Sequence, residues 1–249
     1  MNSSKTDKKG VDQAPDSTLS SFRVFIVGDN KTVAQMFMNN GHRIVKDLED
    51  DVEIVVFTGG EDVTPLLYGE RIHDKTNFSI ERDMRERKLW ASLPTTLPKV
   101  GICRGGQFLN VMSGGSLWQH VDNHVTMKTH PATTISGDII QVSSTHHQMM
   151  RPSKEAFTML YSDLCTFKET DTKRYEKKDA DWGDLGDDIV EEVEACYYLH
   201  TNSFCFQPHP EYPLGRQCRP FFFQCIEEMF GKDIEKLREY RKKRKEVTK

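Results

Sequence analysis

The sequence predicts an α/β fold in which a mostly parallel sheet has helices on both faces. Apolar runs typical of buried strands alternate with segments of helical periodicity through the first half of the chain. Glycines stand where these apolar runs end, as expected where a parallel strand leaves a sheet for a loop. With 249 residues, the chain is long enough to bury a full core as one domain.

The predicted elements of the first half follow one another in a regular order. An apolar run over residues 22–27 predicts a strand, and a helix over residues 31–40 ends at a glycine. Further on we expect a strand over residues 52–57, a helix over 77–92, a short strand over 98–102, and a helix from Gln107 to Met112. In the helix over 77–92, helical spacing directs Ile80, Met84 and Leu89 toward a core.

The second half of the chain is less regular. Strands are expected over residues 135–142, 157–161, 193–199 and 204–207, and a closing helix over residues 220–230. The polar ends indicate a disordered tail over residues 1–21, one domain over 22–231 and a basic tail over 232–249. Residues 169–188 form an acidic insertion, whose few apolar side chains predict a mobile loop.

Composition argues against several classes of protein. No segment approaches the roughly 18 apolar residues that a membrane helix needs, and residues 1–21 lack the apolar core of a secretory signal, so we expect a cytoplasmic protein. A net charge of −4 gives no global sign of nucleic-acid binding. The cysteines include no CxxC pair, which indicates reduced thiols. Most lie among apolar neighbours and are expected to be buried, namely Cys165, Cys196, Cys205, Cys218 and Cys225.

Cys103 differs from these cysteines because it lies where a predicted strand turns into a helix. The run Gly101-Ile-Cys-Arg-Gly105 has the spacing of a nucleophile elbow, in which glycines allow the close backbone approach of a sharp turn. The N-terminus of the following helix favours a thiolate and can stabilise an oxyanion. The pattern alone also fits a buried cysteine between two turn glycines.

A second motif strengthens the interpretation of Cys103 as a nucleophile. His209 stands between two prolines, and Glu211 follows two residues later. A short rigid segment of this kind is expected of a general base and the carboxylate that orients it. Alone, such a segment is more often an ordinary loop. Together with the elbow, it predicts a catalytic triad of cysteine, histidine and glutamate.

Four motifs, in the right order, resemble the class I glutamine amidotransferase superfamily. Gly101-Ile-Cys-Arg-Gly-Gly-Gln107 and Gln207-Pro-His-Pro-Glu211 are similar to the segments that carry its catalytic residues. The stretches over residues 58–70 and 143–148 resemble its γ-glutamyl hydrolase branch, which includes enzymes acting on γ-glutamyl-aminobutyrate. The resemblance covers residues 22–230 and implies a flavodoxin-like three-layer α/β/α sandwich.

The resemblance also implies roles for individual residues. Cys103 would attack the carbonyl of a γ-glutamyl amide to give a thioester, His209 would transfer protons, and Glu211 would orient His209. Main-chain amides of Gly60 and Arg104 would form the oxyanion hole. The glutamyl group would be held by Gly59, Gln107, Ser144, Thr145, His146 and His147. The resemblance implies neither a metal ion nor an organic cofactor.

Some histidines allow another interpretation. His146 and His147 could form a metal-binding pair, and His120 and His124 have the i,i+4 spacing of ligands on one helix face. No carboxylate or cysteine cluster joins either pair in the sequence, so a metal site is not predicted.

Other residues concern the choice of substrate. Ser143 stands where the hydrolase branch often has asparagine, and Pro208 stands where it commonly has a bulky aromatic residue. The pair Arg82-Asp83 would either contact substrate, as a similar pair does in that branch, or belong to a salt-bridged helix surface.

Three functions are consistent with these residues. The first is a self-contained hydrolase that releases glutamate from a small γ-glutamyl amide or peptide. The second is a glutaminase component that passes ammonia to a synthetase on a separate partner chain. The third is a non-catalytic scaffold, against which the intact triad argues. Arg104 favours the hydrolase, because ammonia-feeding domains more usually have leucine directly after the cysteine.

Overall fold

An 11-stranded mixed sheet forms the centre of the fold in the computed structural model, which describes residues 21–48, 51–177 and 192–247. The described strands are β1 (Arg23–Ile26), β2 (Arg43–Val45), β3 (Ile54–Phe57), β4 (Lys99–Ile102), β5 (Ser116–Trp118), β6 (His120–Val121), β7 (Val125–Thr134), β8 (Ile139–Thr145), β9 (Met149–Arg151), β10 (Phe157–Ser162), β11 (Phe167–Glu169), β12 (Arg174–Glu176), β13 (Glu192–Tyr198) and β14 (Ser203–Phe206). The described α-helices are α1 (Lys31–Asn39), α2 (Ile80–Ser92), α3 (Arg104–Met112) and α4 (Arg219–Val247). A separate 3-stranded sheet contains β12, β11 and β6.

The half of the main sheet that carries Cys103 is parallel. Its strands run in the order β2-β1-β3-β4-β14, and each neighbouring pair in this half is parallel. Beyond β14 the sheet continues through β13, β10, β7 and β8, which pair in antiparallel fashion. The predicted α/β class is confirmed, and the parallel strands have an antiparallel extension on one side.

Helices pack on both faces of the parallel strands. Successive residues of β3 face opposite sides, so Val56 packs with α1 and α4 while Phe57 packs with α3. On the α3 face, the ring centroids of Phe57 and Phe108 are 5.3 Å apart. On the other face, Phe37 of α1 and Phe222 of α4 have ring centroids 6.0 Å apart. These layers form the flavodoxin-like three-layer sandwich that the resemblance implies.

The buried face of α2 is not the face predicted from the sequence. Ile80 and Met84 are 41% and 39% exposed, whereas Leu89 packs partly buried against the core. Asp83 and Glu86 are buried instead. The prediction was wrong for two of three residues because it assumed that the apolar side chains of α2 face inward, and this helix buries carboxylates that pair with arginines.

A β-hairpin replaces the strand predicted over residues 135–142. β7 ends at Thr134 and β8 begins at Ile139, with Gly137 between them at φ 88°. The Thr134 N–H donates to the Asp138 carbonyl at 2.9 Å, and Ile135 at the turn is 60% exposed. The prediction was wrong for the first residues of this range because it took the apolar Ile135, which lies in the turn, as part of a strand.

The closing helix is much longer than the prediction of residues 220–230. α4 continues to Val247, through most of the stretch assigned to a basic tail. Ile234 is buried, and Arg238 Nε donates to Glu53 Oε1 at 2.6 Å, which attaches this part of α4 to the domain. No helix in the described part of the chain, α4 included, is both long and apolar enough to cross a membrane. Residues 1–20 of the tail predicted over 1–21, and residues 178–188 of the insertion predicted over 169–188, lie outside the described residues. In the described part of the insertion, Arg174–Glu176 forms β12 and pairs with β11, so the predicted mobile loop is wrong for these residues.

Candidate active site

Cys103 lies between the end of β4 and the start of α3, at the carboxyl edge of the parallel strands. Its backbone has φ 52° and ψ −114°, a conformation that non-glycine residues rarely adopt. Its N–H donates to the Phe206 carbonyl at 2.7 Å, and its carbonyl accepts from Gln107 N at 3.0 Å. The neighbouring strand and the first turn of α3 therefore hold Cys103 in a strained turn, the geometry of a nucleophile elbow.

The glycines on either side of Cys103 are required by close packing. A Cβ added to Gly101 would lie 2.3 Å from the Gly105 carbonyl oxygen. A Cβ added to Gly105 would lie 2.1 Å from the carbonyl oxygen of Phe57 in β3. Because these neighbours are backbone atoms, they cannot move aside as a flexible side chain could. Both glycines allow the first turn of α3 to approach the sheet behind Cys103.

His209 and Glu211 form a buried pair beside the elbow. His209 Nδ1 lies 2.7 Å from Glu211 Oε1, and both side chains are largely buried. The His209 N–H donates to Ser143 Oγ at 2.7 Å, and Tyr212 stacks on the imidazole at 4.8 Å between centroids. A Cβ on Gly59 would lie 2.8 Å from His209 Cε1, so only glycine allows this approach. Together these contacts fix the position and orientation of the imidazole.

The surroundings of His209 strongly favour its protonated form. Burial alone would lower its pKa, but the charge and hydrogen bond of Cys103, and then those of Glu211, raise the pKa of His209 to about 11. Such an imidazolium lies between two groups that are negative when ionised. The arrangement can hold a thiolate next to a proton donor, which is what nucleophilic catalysis by cysteine requires.

The other cysteines lack such a partner. All five are buried and none forms a disulfide, which confirms the prediction of reduced, buried thiols. Burial raises the pKa of Cys218 and of Cys225 to about 12, and it also raises the pKa of Cys165 and Cys205. These four thiols, Cys165, Cys205, Cys218 and Cys225, are therefore inert near neutral pH.

Gln207 contacts the thiol, although the sequence analysis assigned it no role. Its Nε2 lies 3.8 Å from Cys103 Sγ, and its Oε1 accepts from Gln107 Nε2 at 3.2 Å. Gln107 Nε2 also donates to the Gln148 carbonyl at 3.0 Å. The amide of Gln107, predicted to hold the glutamyl group, is thus already engaged in holding Gln207. Gln207 belongs to the same sequence motif as His209 and Glu211. This position in the motif could have indicated that Gln207 lies near the predicted triad.

Arg82 holds the loop that contains Gly59 and Gly60. Its Nη2 donates to the carbonyls of Thr58 and Gly59, at 3.0 Å in each case. Gly60 has φ 148°, a region that favours glycine, and a Cβ there would lie 1.9 Å from Arg82 Nη1. The sequence left Arg82 as either a substrate contact or a surface salt bridge. The structure confirms the salt bridges, since Arg82 pairs with Glu61 at 3.0 Å and with Glu86 at 2.8 Å. It adds another role, because Arg82 also fixes the main chain of this loop.

The side chain of Arg104 points away from Cys103. Its guanidinium is buried and forms ion pairs with Asp83 and Glu86 of α2. Asp83 also accepts from Thr64 N at 2.8 Å, so it is a buried structural carboxylate rather than a surface residue. Only the main chain of Arg104 is available to a group bound at the thiol.

The segment from Ser144 to His147 divides between two environments. His147 Nε2 lies 3.0 Å from Asp62 Oδ2, on the loop that follows Gly60, and its side chain is 31% exposed. Ser144 and His146 are buried, and Ser144 Oγ donates to the Asn123 carbonyl at 3.5 Å. His146 Nδ1 lies 2.9 Å from the Gln148 carbonyl. Of this predicted binding segment, His147 and Thr145 are partly exposed, although the Thr145 hydroxyl is buried without a hydrogen-bond partner among the described residues.

The histidine pairs considered from the sequence do not occur as pairs. His120 lies in β6 and His124 precedes β7, so they do not share a helix face. His146 and His147 have different partners, as neighbours on an extended chain point to opposite sides. A different grouping brings His124, His146 and Glu194 together.

A family model described as Peptidase C26 matches residues 1–162. The matched part includes Cys103 and ends before His209 and Glu211. The position of these two residues beside the elbow therefore comes from the structure, and it adds to what the family model covers.

Curated bacterial proteins are similar to part of the chain. The glutamine amidotransferase-like protein YvdE of Lactococcus lactis subsp. lactis is 29% identical over 130 residues, which are 44% of this chain and 55% of that protein. Protein NtpR of Enterococcus hirae is 30% identical over 125 residues, which are 41% of this chain and 52% of that protein. The matched region thus spans about half the length of these relatives.

Solved structures share the fold at low sequence identity. A GMP synthase protein from Thermoplasma acidophilum has a TM-score of 0.57 at 15% identity, covering 89% of this chain and 98% of that chain. A glutamine amidotransferase from Thermotoga maritima has a TM-score of 0.52 at 14% identity, covering 87% of this chain and 85% of that chain. At these identities, the similarity establishes the fold.

Proposed function

We propose that this chain, which belongs to the peptidase C26 family, is a cysteine-dependent hydrolase that releases glutamate from a small γ-glutamyl amide or peptide. The observation that supports the proposal most directly is the buried pair of His209 and Glu211 beside the elbow of Cys103. His209 Nδ1 is 2.7 Å from the carboxylate of Glu211, and Cys103 and Glu211 together raise the pKa of His209 to about 11 despite burial. A strained elbow that presents the thiol is the second support.

The reaction would proceed in two balanced halves. The Cys103 thiolate attacks the γ-carbonyl carbon, and the C–N bond breaks as the His209 imidazolium gives its proton to the leaving amine. This leaves a γ-glutamyl thioester and a neutral imidazole. Water then gives a proton to His209 while its oxygen attacks the thioester carbonyl. Glutamate leaves, and the ion pair of Cys103 and His209 is restored.

Glu211 and the elbow lower the barriers of both halves. The carboxylate of Glu211 holds the imidazole in one orientation and stabilises its positive charge. The oxyanion that forms at the carbonyl would be bound by the main-chain amides of Gly60 and Arg104. Arg82 supports this role because it already binds the carbonyls of Thr58 and Gly59, which removes the freedom of the loop to turn over.

The glutamyl group would lie between the Gly59 loop and the segment that ends at His147. Gly59 leaves room beside the imidazole, and Gln207 directs an amide toward the thiol. His147 and Thr145 would contact the substrate, whereas Gln107, Ser144 and His146 would act by positioning their neighbours. His147 Nε2 and Asp62 Oδ2 lie 3.0 Å apart, and these polar groups could bind the α-amino acid head group.

An ammonia-transferring glutaminase component is the alternative. The fold neighbour described as a GMP synthase protein supports it, since such a component would need a separate synthetase chain. Under this alternative, glutamine would be the preferred substrate and glutamate release would depend on the partner.

One experiment tests the proposal and separates it from this alternative and from a scaffold. The purified chain is incubated with glutamine and with a panel of γ-glutamyl amines and peptides, and glutamate and amine release are both measured. We expect turnover of at least one γ-glutamyl amine without a partner, and none with Cys103→Ala. Cys225→Ala is the matched control and should remain active. Turnover of glutamine alone would favour the glutaminase component, and no turnover together with no labelling of Cys103 would contradict every catalytic interpretation.

A further inference from the structure

Three buried histidines surround Glu194 on the antiparallel side of the sheet. His124 precedes β7, His130 lies in β7, His146 follows β8, and Glu194 lies in β13. His130 Nε2 is 3.4 Å from Glu194 Oε1, His124 Nδ1 is 3.7 Å from Oε1, and His146 Nε2 is 3.9 Å from Oε2. Glu194 has no exposed surface, and none of the three histidines is more than 6% exposed.

Carbonyl oxygens fix the tautomers of two of these histidines. His146 Nδ1 lies 2.9 Å from the Gln148 carbonyl, and His130 Nδ1 lies 3.1 Å from the Pro131 carbonyl. A carbonyl oxygen only accepts, so each Nδ1 must carry the proton. Both rings are buried, which disfavours the charged imidazolium. Each Nε2 therefore presents a lone pair to Glu194.

A carboxylate fixes the tautomer of His124, as the carbonyl oxygens fix those of His130 and His146. Its Nε2 lies 3.3 Å from Glu192 Oε2. The N–H groups of Leu164 and Cys165 also donate to this carboxylate, at 2.6 and 2.8 Å. A carboxylate that receives these bonds acts as an acceptor, so His124 Nε2 donates to it. In the neutral ring, Nδ1 then carries a lone pair directed at Glu194 Oε1, 3.7 Å away.

At the centre of this cluster, buried atoms that can only accept hydrogen bonds face one another. Ser162 Oγ donates to Glu194 Oε1 at 3.0 Å. Among the described residues, four further buried atoms here have no hydrogen-bond partner: His124 Nδ1, His130 Nε2, His146 Nε2 and Glu194 Oε2. Buried polar atoms without partners cost free energy, and lone pairs directed at a carboxylate add electrostatic repulsion. A cation between them would remove both costs.

We propose that these residues form a binding site for a divalent first-row transition metal ion such as Zn²⁺, with His124 Nδ1, His146 Nε2, His130 Nε2 and a Glu194 oxygen as ligands. Bonds of about 2.0–2.2 Å place neighbouring ligands of a tetrahedral ion about 3.4 Å apart. The three separations from Glu194, 3.4, 3.7 and 3.9 Å, are close to that value. Ligand atoms of His124, His146 and Glu194 all lie within 4.8 Å of one another, and His130 joins this group through its 3.4 Å approach to Glu194 Oε1.

The groups behind the ligands are those found in metal centres. A metal-bound histidine usually donates its other N–H to a carbonyl or a carboxylate, which fixes the ring and makes it a better ligand. Here the Gln148 and Pro131 carbonyls and the Glu192 carboxylate have this position. A set of imidazoles with one carboxylate suits Zn²⁺ and its first-row neighbours, whereas Ca²⁺ and Mg²⁺ take oxygen ligands.

The proposed site is distinct from the candidate active site and lies next to it. The N–H of Gln207 donates to the main-chain carbonyl of Glu194 at 2.8 Å, while the Gln207 side chain approaches Cys103. With four protein ligands the ion has no open position, so its role is structural. It would join β7, β8 and β13 beside the segment that leads to His209. The proposal does not depend on the reaction that Cys103 performs.

A shared proton is the competing explanation. Burial raises the pKa of Glu194 to about 7, so a protonated carboxyl group could donate to one imidazole. One proton satisfies one lone pair and leaves two others directed at a buried carboxyl group. A divalent ion satisfies all of them, which is why the geometry favours the metal.

Metal content of the purified chain tests the proposal. The full chain, without a histidine tag, is purified without chelator and assayed by elemental mass spectrometry. We expect about one first-row metal ion per chain, and at least a tenfold lower content in Glu194→Gln and in His124→Gln. His200→Gln is the control, because His200 is a histidine whose side chain is 44% exposed and pairs with Glu155; it should keep the metal.

Cobalt reconstitution and thermal unfolding give a second measurement that does not need the native metal. The chelator-treated chain should bind Co²⁺ with the visible absorption of a four-coordinate site, and Zn²⁺ should raise its melting temperature. Glu194→Gln should show neither effect and should still fold, since its amide can donate to an imidazole lone pair. A wild-type chain that is purified without metal, gives no Co²⁺ spectrum and melts independently of Zn²⁺ would overturn the proposal. A metal content unchanged in Glu194→Gln would also overturn it.

Discussion

Two buried clusters of histidine and glutamate lie close together in this fold, and they handle protons in opposite ways. Burial disfavours the charged form of His209, yet Cys103 on one side and Glu211 on the other raise its pKa to about 11. In the cluster around Glu194, burial lowers the pKa of His130 to about 4, although the Pro131 carbonyl acts in the other direction. The comparison teaches that the partners of a buried histidine decide its task. For His209 its two acidic partners outweigh burial, whereas for His130 burial outweighs the one carbonyl that opposes it.

The largest expected effect is at Cys103, and it tests whether the first cluster is chemically active at all. Cys103→Ala removes the nucleophile, so turnover should fall by at least about 10⁴-fold, to the background of the assay. A glutamine-like electrophile should label the wild-type chain at Cys103, as read by peptide mass spectrometry. Labelling that survives Cys103→Ala, or that occurs at Cys165 or Cys205, would show that the nucleophile has been misassigned.

Replacing the partners of His209 tests the claim that they decide its task. Glu211→Gln removes the negative charge but keeps the shape, and it should reduce turnover by a factor on the order of 10 to 10⁴. His209→Ala should be at least as damaging, because it also removes the proton carrier. Steady-state rates of glutamate release across pH give the measurement. Full activity in Glu211→Gln would mean that this carboxylate does not support the imidazolium.

A smaller effect is expected for Arg82, because it acts on the candidate active site only through the loop that contains Gly60. Arg82→Gln removes the guanidinium that binds the Thr58 and Gly59 carbonyls, so the loop that contains Gly60 should lose its fixed orientation. We expect a loss of about 10- to 100-fold in kcat with little change in alkylation of Cys103 by iodoacetamide. Arg85→Gln on the exposed side of the same helix is the matched control. Equal kinetics for the two variants would show that Arg82 does not position the loop.

The parallel half of the molecule could be predicted from the sequence because its physical signals are local. Parallel strands buried on both faces read as continuous apolar runs, and Ile54–Phe57 is such a run. Gly101 and Gly105 mark the elbow because close backbone contacts exclude any side chain there. The motif around His209 could be recognised for the same reason, because its two prolines and Glu211 are close together in the sequence.

The antiparallel half was predicted only in part: the strands expected over residues 157–161 and 193–199 are confirmed as β10 and β13, whereas β7 was missed because its interior is partly polar. β7 buries His130 and includes Pro131 at its centre, so no apolar run or alternation marks it as a strand. The cluster around Glu194 combines histidines in and beside the hairpin of β7 and β8 with a glutamate of β13, which is far from them in the sequence, and spacing cannot reveal it. One signal was present: Glu192 and Glu194 alternate with apolar residues in a predicted strand, which indicates buried carboxylates that need partners. The buried Asp83 and Glu86 of α2 escaped detection in the same way.

His42 gives a third setting, in which a buried histidine has no acidic partner, and it carries the smallest expected effect. Its ring stacks on Phe22 with centroids 5.1 Å apart, and the Phe22 N–H lies 3.3 Å from Nδ1. Burial lowers the pKa of His42 from 6.5 to about 4. Because the folded pKa lies below the unfolded one, the unfolded chain binds this proton first as the pH falls. The stability that neutral His42 contributes is complete above pH 6.5 and is lost on acidification toward pH 4.

His42→Phe removes this titration while keeping an aromatic ring against Phe22. The decrease in unfolding free energy between pH 6.5 and pH 4.5 should therefore be smaller in the variant, by about 1–2 kcal/mol. Urea unfolding at the two pH values measures the decrease for the wild type, for His42→Phe and for His200→Gln, whose histidine is exposed. Other buried groups titrate in the same range, but they are common to all three chains and cancel in the differences. An equal decrease in the wild type and His42→Phe would mean that His42 gains its proton in the folded state as readily as in the unfolded chain, and that burial without an acidic partner does not set its pKa.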